Sequence, residues 1–132
     1  MILVDTNVVM YAAGGPHPHK KASVAFLDRV ATGEVEGVLD AEVLQEILHR
    51  YRAINRWMDG RQVYDLARTI FPLVLPVTAE VLDRARELLD AHPALWARDA
   101  LHAAVALHHD LEGIASYDRD LDEVPGLRRL EP

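Results

Sequence analysis

The chain contains no cysteine, which excludes both a disulfide framework and a thiolate metal site and suits a reducing compartment. It has no apolar run near the roughly 18 residues that a membrane span requires. The opening "MILVDTNVVM" lacks the basic start of a secretory signal, and Asp5 interrupts its apolar stretch. A soluble, cytoplasmic protein is therefore expected. Lysine is almost missing, with only Lys20 and Lys21 against twelve arginines. A basic surplus is missing too: 21 acidic against 14 basic residues give a formal charge of -7, so the surface as a whole should repel nucleic acid and any such contact must be local. The same excess suits a basic partner or a cation site.

What is present is a chain of 132 residues, half of them hydrophobic, without internal repeat or low-complexity tract. That length suits one domain over 1–132, able to bury roughly 70% of the surface of its unfolded form. Ile2 to Val4 reads as a short buried strand, followed by a turn through "DTNVVMYAAGGPHPH", where Gly14, Gly15, Pro16 and Pro18 forbid regular structure. A helix is expected from about Lys20 to Thr32, a strand at "EGVLD", and Asp40 as the N-cap of the next helix. From Ala41 to about Trp57, the residues Val43, Leu44, Ile47, Leu48, Tyr51 and Ile54 form one apolar stripe. Further helices follow over about Gln62 to Phe71, after the Thr78 cap, and over roughly Trp96 to His109, with strands at "LVLPV", "GIAS" and "LRRL". Strands alternating with helices predict an α/β fold, a central parallel sheet covered on both faces, with its site outside the carboxyl ends of the strands.

Asp5 follows the first strand and Asp118 follows "GIAS", so both should emerge at the same sheet edge. Alone, each reads as a turn or cap residue; together they mark a location. Helical geometry then asks which other carboxylates face it. At about 100° per residue, with Glu46 as zero, the apolar stripe centres near about 120°, while Glu42 falls near about -40° and points more fully to solvent. Glu46 thus borders the buried face and can reach a cleft. Asp99 also sits beside its helix's stripe, in the first turn, where the helix dipole favours an anion. His102 lies on the far side of that stripe and is read as a surface or supporting residue, not a ligand. Convergence of Asp5, Glu46, Asp99 and Asp118 would be unfavourable without protons or cations to compensate. Oxygen-only ligands at such charge select Mg²⁺ or Mn²⁺, and a water on such an ion can attack a phosphodiester.

"VDTNVV", "AEVLQEILHRY", "ARDALHAAVAL" and "IASYDRDLD" resemble, in order and spacing over nearly the whole chain, the four acidic motifs of the PIN-domain ribonucleases. A chain of this size looks most like the VapC toxins of bacterial toxin–antitoxin pairs. The resemblance implies a PIN fold, a homodimer, Mg²⁺- or Mn²⁺-dependent endonucleolytic cleavage of RNA, and inhibition by a VapB-type antitoxin. It assigns the acidic quartet to Asp5, Glu46, Asp99 and Asp118, and supporting roles to Thr6, Asn7 and Ser116, which orient carboxylates or hold a metal-bound water. Asp120 can share or replace the role of Asp118, and Glu42 can substitute for Glu46.

Two other segments bear on partners. "HRYRAINRWMDGR" carries Arg50, Arg52, Arg56 and Arg61 among Tyr51 and Trp57, a basic spot in an acidic chain that can meet RNA or an acidic antitoxin segment, or only solvate a helix face. "GGPHPHKK" adds His17 and His19 near Asp5; a mobile loop there could guide RNA, and without a third partner a metal site is disfavoured. Other readings fare worse. Haloacid-dehalogenase-like phosphatases need a second acid where Asn7 stands, and a two-component receiver needs a late lysine, whereas none follows Lys21. A degenerate PIN module that only binds RNA or protein remains the alternative function.

Overall fold

The computed structural model describes residues 1–132. Five strands, β1 (Ile2–Val4), β2 (Gly37–Asp40), β3 (Val74–Leu75), β4 (Gly113–Ala115) and β5 (Arg129–Leu130), form a wholly parallel sheet in the order β3-β2-β1-β4-β5. The expected α/β architecture, a parallel sheet with helices on both faces, is what the chain adopts. Side chains alternate across the pleat with a period of two. Leu3, Val38 and Ile114, in register with one another, enter the core on one face, where α5 (Ala79–Ala91) and α6 (Ala97–His108) lie. Val4, Leu39 and Ala115 enter the other, under α1 (Thr6–Ala13), α2 (Lys20–Ala31), α3 (Ala41–Ala53) and α4 (Trp57–Ile70). No helix is long and apolar enough to cross a membrane.

The strand order reverses beside β1: the chain first builds outward through β2 and β3, then returns to place β4 on the opposite side. At such a reversal the crossover helices leave in opposite directions and a crevice opens at the carboxyl edge of the sheet. Asp5 and Asp118 follow the two strands that meet there.

Two sequence expectations need correction. The segment after Asp5 is no irregular turn, since "TNVVMYAA" forms α1 with Thr6, Val8 and Val9 buried, and the Gly and Pro residues act only from Gly14 onward. The helix expected from Ala41 to about Trp57 ends at Ala53, where Asn55 takes a left-handed conformation (φ 57°) that a short polar side chain tolerates, and α4, expected from about Gln62, already begins at Trp57. Gly60 lets α4 press onto α3, because a β-carbon there would lie 2.3 Å from that of Tyr51. The loop expected at His17 and His19 is present, and their rings stack on Tyr11 and Tyr117 with centroids 4.1 and 4.0 Å apart. Asp40 and Thr78 cap α3 and α5 as expected, accepting from the N–H groups of Val43 and Val81.

Candidate active site

Asp5 continues the ladder of β1 by donating its N–H to the Ala115 carbonyl at 2.9 Å. Its carboxylate does not cap α1 but turns to the end of β4. Oδ2 accepts from the Ser116 hydroxyl at 2.6 Å and from Asn7 Nδ2 at 3.3 Å. Ser116 Oγ in turn accepts from Asn7 Nδ2 at 3.1 Å and from the Asp118 N–H at 3.0 Å, so one hydroxyl ties the two strand ends together. Asn7 Oδ1 faces the Tyr117 N–H at 3.4 Å. Thr6 Oγ1, in contrast, is buried and has no hydrogen-bond partner, an unusual state for a polar atom.

Asp5, Glu46, Asp99 and Asp118 all line one cleft of about 850 Å³, with Thr6, Asn7 and Asp120. Ser116 lies behind it, fully buried. Their crowding shows in protonation. Burial, then hydrogen bonding and charge from Asp118, then the charge of Asp5, push the Asp99 carboxyl up to about 7. Burial likewise raises Asp5, against the lowering influence of His102 and Ser116. Asp118 caps a short 3₁₀ turn, accepting from the Asp120 N–H at 2.9 Å, while Asp120 itself is exposed. Glu42 does not line the cleft, although burial and the neighbouring Glu46 raise its pKa.

Of the surface and supporting places that the sequence left open to His102, the structure takes the supporting one. It is 1% exposed, with Nδ1 2.6 Å from Asp40 Oδ2 and Nε2 3.1 Å from Glu46 Oε1 and 3.6 Å from Asp5 Oδ1. The helical wheel misplaced it because every residue of α6 from Asp99 to Ala106 is buried, so the helix has no solvent face against which to set a stripe. Burial opposes a charged ring, but Asp40, Glu46 and Asp5 outweigh it and hold the His102 pKa well above its ordinary value. A doubly protonated ring is also what the geometry asks for, since both nitrogens face carboxylates and only then can both donate. Asp40 thus serves twice, capping α3 through one oxygen and holding His102 through the other.

A scan for known families matches the PIN domain over residues 2–127. The chain belongs to the PIN-domain family. This PIN domain is 44% identical to Ribonuclease VapC13 of Mycobacterium tuberculosis over 130 residues, covering 98% of this chain and 99% of that one. It is 36% identical to Ribonuclease VapC23 of the same species, over 92% and 95% of the two chains. In fold it is similar to the crystal structure of FitAcB from Neisseria gonorrhoeae (TM-score 0.76, 22% identity, 99% and 97% covered). It is also similar to a toxin–antitoxin complex from Klebsiella pneumoniae (TM-score 0.64, 18% identity, 97% and 96% covered).

The four basic residues flagged in the sequence do not all border one groove of the PIN domain. Arg50 and Arg56 line the cleft, and Arg56 also pairs with Asp59 at 2.7 Å. Arg52 lies over the Trp57 ring, 4.9 Å from its centroid, on a separate shallow groove, and Arg61 borders neither. Arg98 and His49 line the cleft and were missed. Adjacency to Asp99 and Glu46 was the only available signal.

Two observations bear on a metal ion. The donors are all carboxylates, and Thr6 offers a buried hydroxyl in want of a partner, as a metal-bound water would supply. Even so, no three His, Cys, Asp or Glu side chains are arranged as they stand to hold an ion. The donor chemistry fits a hard dication, with rotamer adjustment needed to close on it.

The carboxylate crowding carries a pH prediction. An unfolded Asp loses its proton near 3.8, whereas folded Asp99 keeps it to about 7. The proton therefore favours the folded state fully below the unfolded value, and this contribution is lost as pH rises through about 7. Asp99→Asn, which has no charge to bury, should match the wild type in metal-free Tm near pH about 4 and exceed it near pH about 8. Equal Tm differences at both pH values would show that Asp99 is not crowded in solution.

Proposed function

We propose that this chain is a divalent-metal-dependent endoribonuclease acting as the toxin of a toxin–antitoxin pair, with residues 1–132 working as one domain. The observation that carries the reading is the meeting of four carboxylates in one cleft, close enough for Asp99 to retain a proton to about 7. Carboxylates that disfavour one another's ionisation in one cleft suit a cation between them. Kinship with chains named as VapC ribonucleases supplies the substrate class. On this reading Asp5, Glu46, Asp99 and Asp118 hold Mg²⁺ or Mn²⁺, with Asp120 at the rim of the set. Bound there, the ion supplies a water acidified for attack on a phosphodiester and charge to steady the leaving oxygen.

The chain's own residues do the rest. Ser116 and Asn7 fix the carboxylate of Asp5, and Thr6 offers a hydroxyl to a bound water. Arg50, Arg56 and Arg98 draw RNA phosphates over an acidic floor. Arg52 and Arg61, away from the cleft, suit a partner chain rather than the reacting phosphate. A VapB-type antitoxin and a homodimer complete the proposal; a toxin–antitoxin complex of the same fold supports the former.

The alternative, a PIN module that binds RNA or protein without cutting, draws on one observation: no three side chains are set to hold an ion. Incubation of single-stranded RNA with the protein and Mg²⁺ or Mn²⁺, then with EDTA, separates the two. Cleavage that EDTA abolishes is expected. Cleavage indifferent to EDTA would reject the mechanism, and binding without cleavage of any RNA would establish the alternative.

A further inference from the structure

Three aromatic side chains border the cleft, Tyr11, Tyr51 and Trp96, and they differ in what covers them. Tyr11 is stacked on His17, and Tyr51 is buried in the core. Trp57, on the neighbouring groove, lies under the Arg52 guanidinium. Trp96 is 73% exposed, the most exposed large apolar residue in the chain, and no other aromatic ring packs on it. Its backbone is nonetheless fixed: it is the N-cap of α6, and its carbonyl accepts the Ala100 N–H at 3.0 Å. Asp99, three residues on, is less than one helical turn away, about 5 Å along the axis.

A ring this large gives up the gain of burial while standing on a rigid element beside the carboxylates. Arg50, Arg56 and Arg98 share its cleft in a chain of net charge -7. An open π-face next to phosphate-seeking guanidinium groups matches a single-stranded nucleic acid, which offers both parts in alternation. We propose that Trp96 is a stacking platform for one unpaired base of the RNA, beside the phosphate that the carboxylates act on. The inference rests on the ribonuclease reading above. It adds that the target must be unpaired at this position, because a base within a duplex has both faces covered. It also adds that base identity there matters little, because every base has a π-face.

The test uses the full chain carrying Asp5→Asn, to prevent turnover, and Trp57→Phe, so that Trp96 supplies all indole fluorescence. A single-stranded oligoribonucleotide of about 12 nucleotides, with Mg²⁺, should quench that fluorescence. Read by the anisotropy of a labelled oligonucleotide, since no indole is left, Trp96→Ala should weaken binding by about 5- to 150-fold, and Trp96→Phe by less. One abasic position in the oligonucleotide should cost as much as Trp96→Ala and nothing further in that variant, and a duplex of the same sequence should not compete. Unchanged affinity in Trp96→Ala, or an equal loss for duplex, overturns the proposal. So does a change in sedimentation on Trp96→Ala, which would make the ring a contact between copies, or a loss confined to a protein partner. Failure of the wild type to cut any RNA with Mg²⁺ or Mn²⁺ removes the ribonuclease reading itself, whereas cutting with unchanged Trp96→Ala affinity removes the stacking alone.

Discussion

Asp5→Asn should lower RNA cleavage by roughly 10³-fold or more while leaving the protein as stable as the wild type, or slightly more so. The two halves of this expectation come from the same surroundings. Asp5 is buried, and burial raises its pKa, so the ionised carboxylate is held against an electrostatic cost. Asparagine has nearly the same shape, and its oxygen can still accept from the Ser116 hydroxyl that now lies at 2.6 Å. Only the charge is lost, and charge is what a hard cation needs from this position. Initial cleavage rates measured beside urea unfolding would show the separation. Activity within tenfold of wild type would mean that Asp5 is a tether for the strand end rather than a ligand. Lost stability with lost activity would mean that the His102 contact at 3.6 Å matters more to folding than the burial cost.

The second large effect concerns a residue with no place on the cleft. Asp40→Ala removes the cap of α3, worth about 1 kcal/mol, and strips the Nδ1 partner from a fully buried imidazole. Breaking a buried charged pair from one side costs about 3–5 kcal/mol, because the surviving charge is left without its partner. Against a typical domain stability of about 5–15 kcal/mol, the sum leaves a marginal protein. Asp40→Asn retains an acceptor for the Val43 N–H and should fall between. Asp40→Ala combined with His102→Leu should be less unstable than the two single changes added together, since the stranded charge is gone. Urea midpoints for the four proteins decide it; simple additivity would show that the 2.6 Å contact is not a charged pair in solution.

Much of this protein could be read before any coordinates. Asp5 and Asp118 were legible because a buried strand followed by an acid states where the side chain must emerge once neighbouring strands are known to be parallel. Glu46 was legible because α3 has one wet face, so its angle from the stripe has meaning. The failures share a cause. His102 was misplaced because α6 is enclosed on all sides, and an enclosed helix carries no angular record of which residue faces which neighbour. Asp40 was identified as a cap and nothing more, since its second oxygen meets a partner 62 residues away. Helix α1 was missed because punctuation by Gly and Pro was extended backward over eight residues that contain neither. The Arg cluster was contiguous in sequence, but Arg50 and Arg52, two residues apart on one helix, point about 200° apart, so one lines the cleft and the other the neighbouring groove.

The Ser116 hydroxyl that bonds Asp5 reaches across 111 residues, and Asp118 follows it. During synthesis, which proceeds from the N-terminus, Asp5 is made 111 residues before its tether. A ribosome that has passed Asp99 but not Gly113 thus holds a nascent product with Asp5, Glu46 and Asp99 already polymerised but with no β4 to bring the strand ends together. Fragments that stop before β4 would carry the same acids without the crevice that assembles them, so the complete set of carboxylates would come together abruptly, once Ser116 is made.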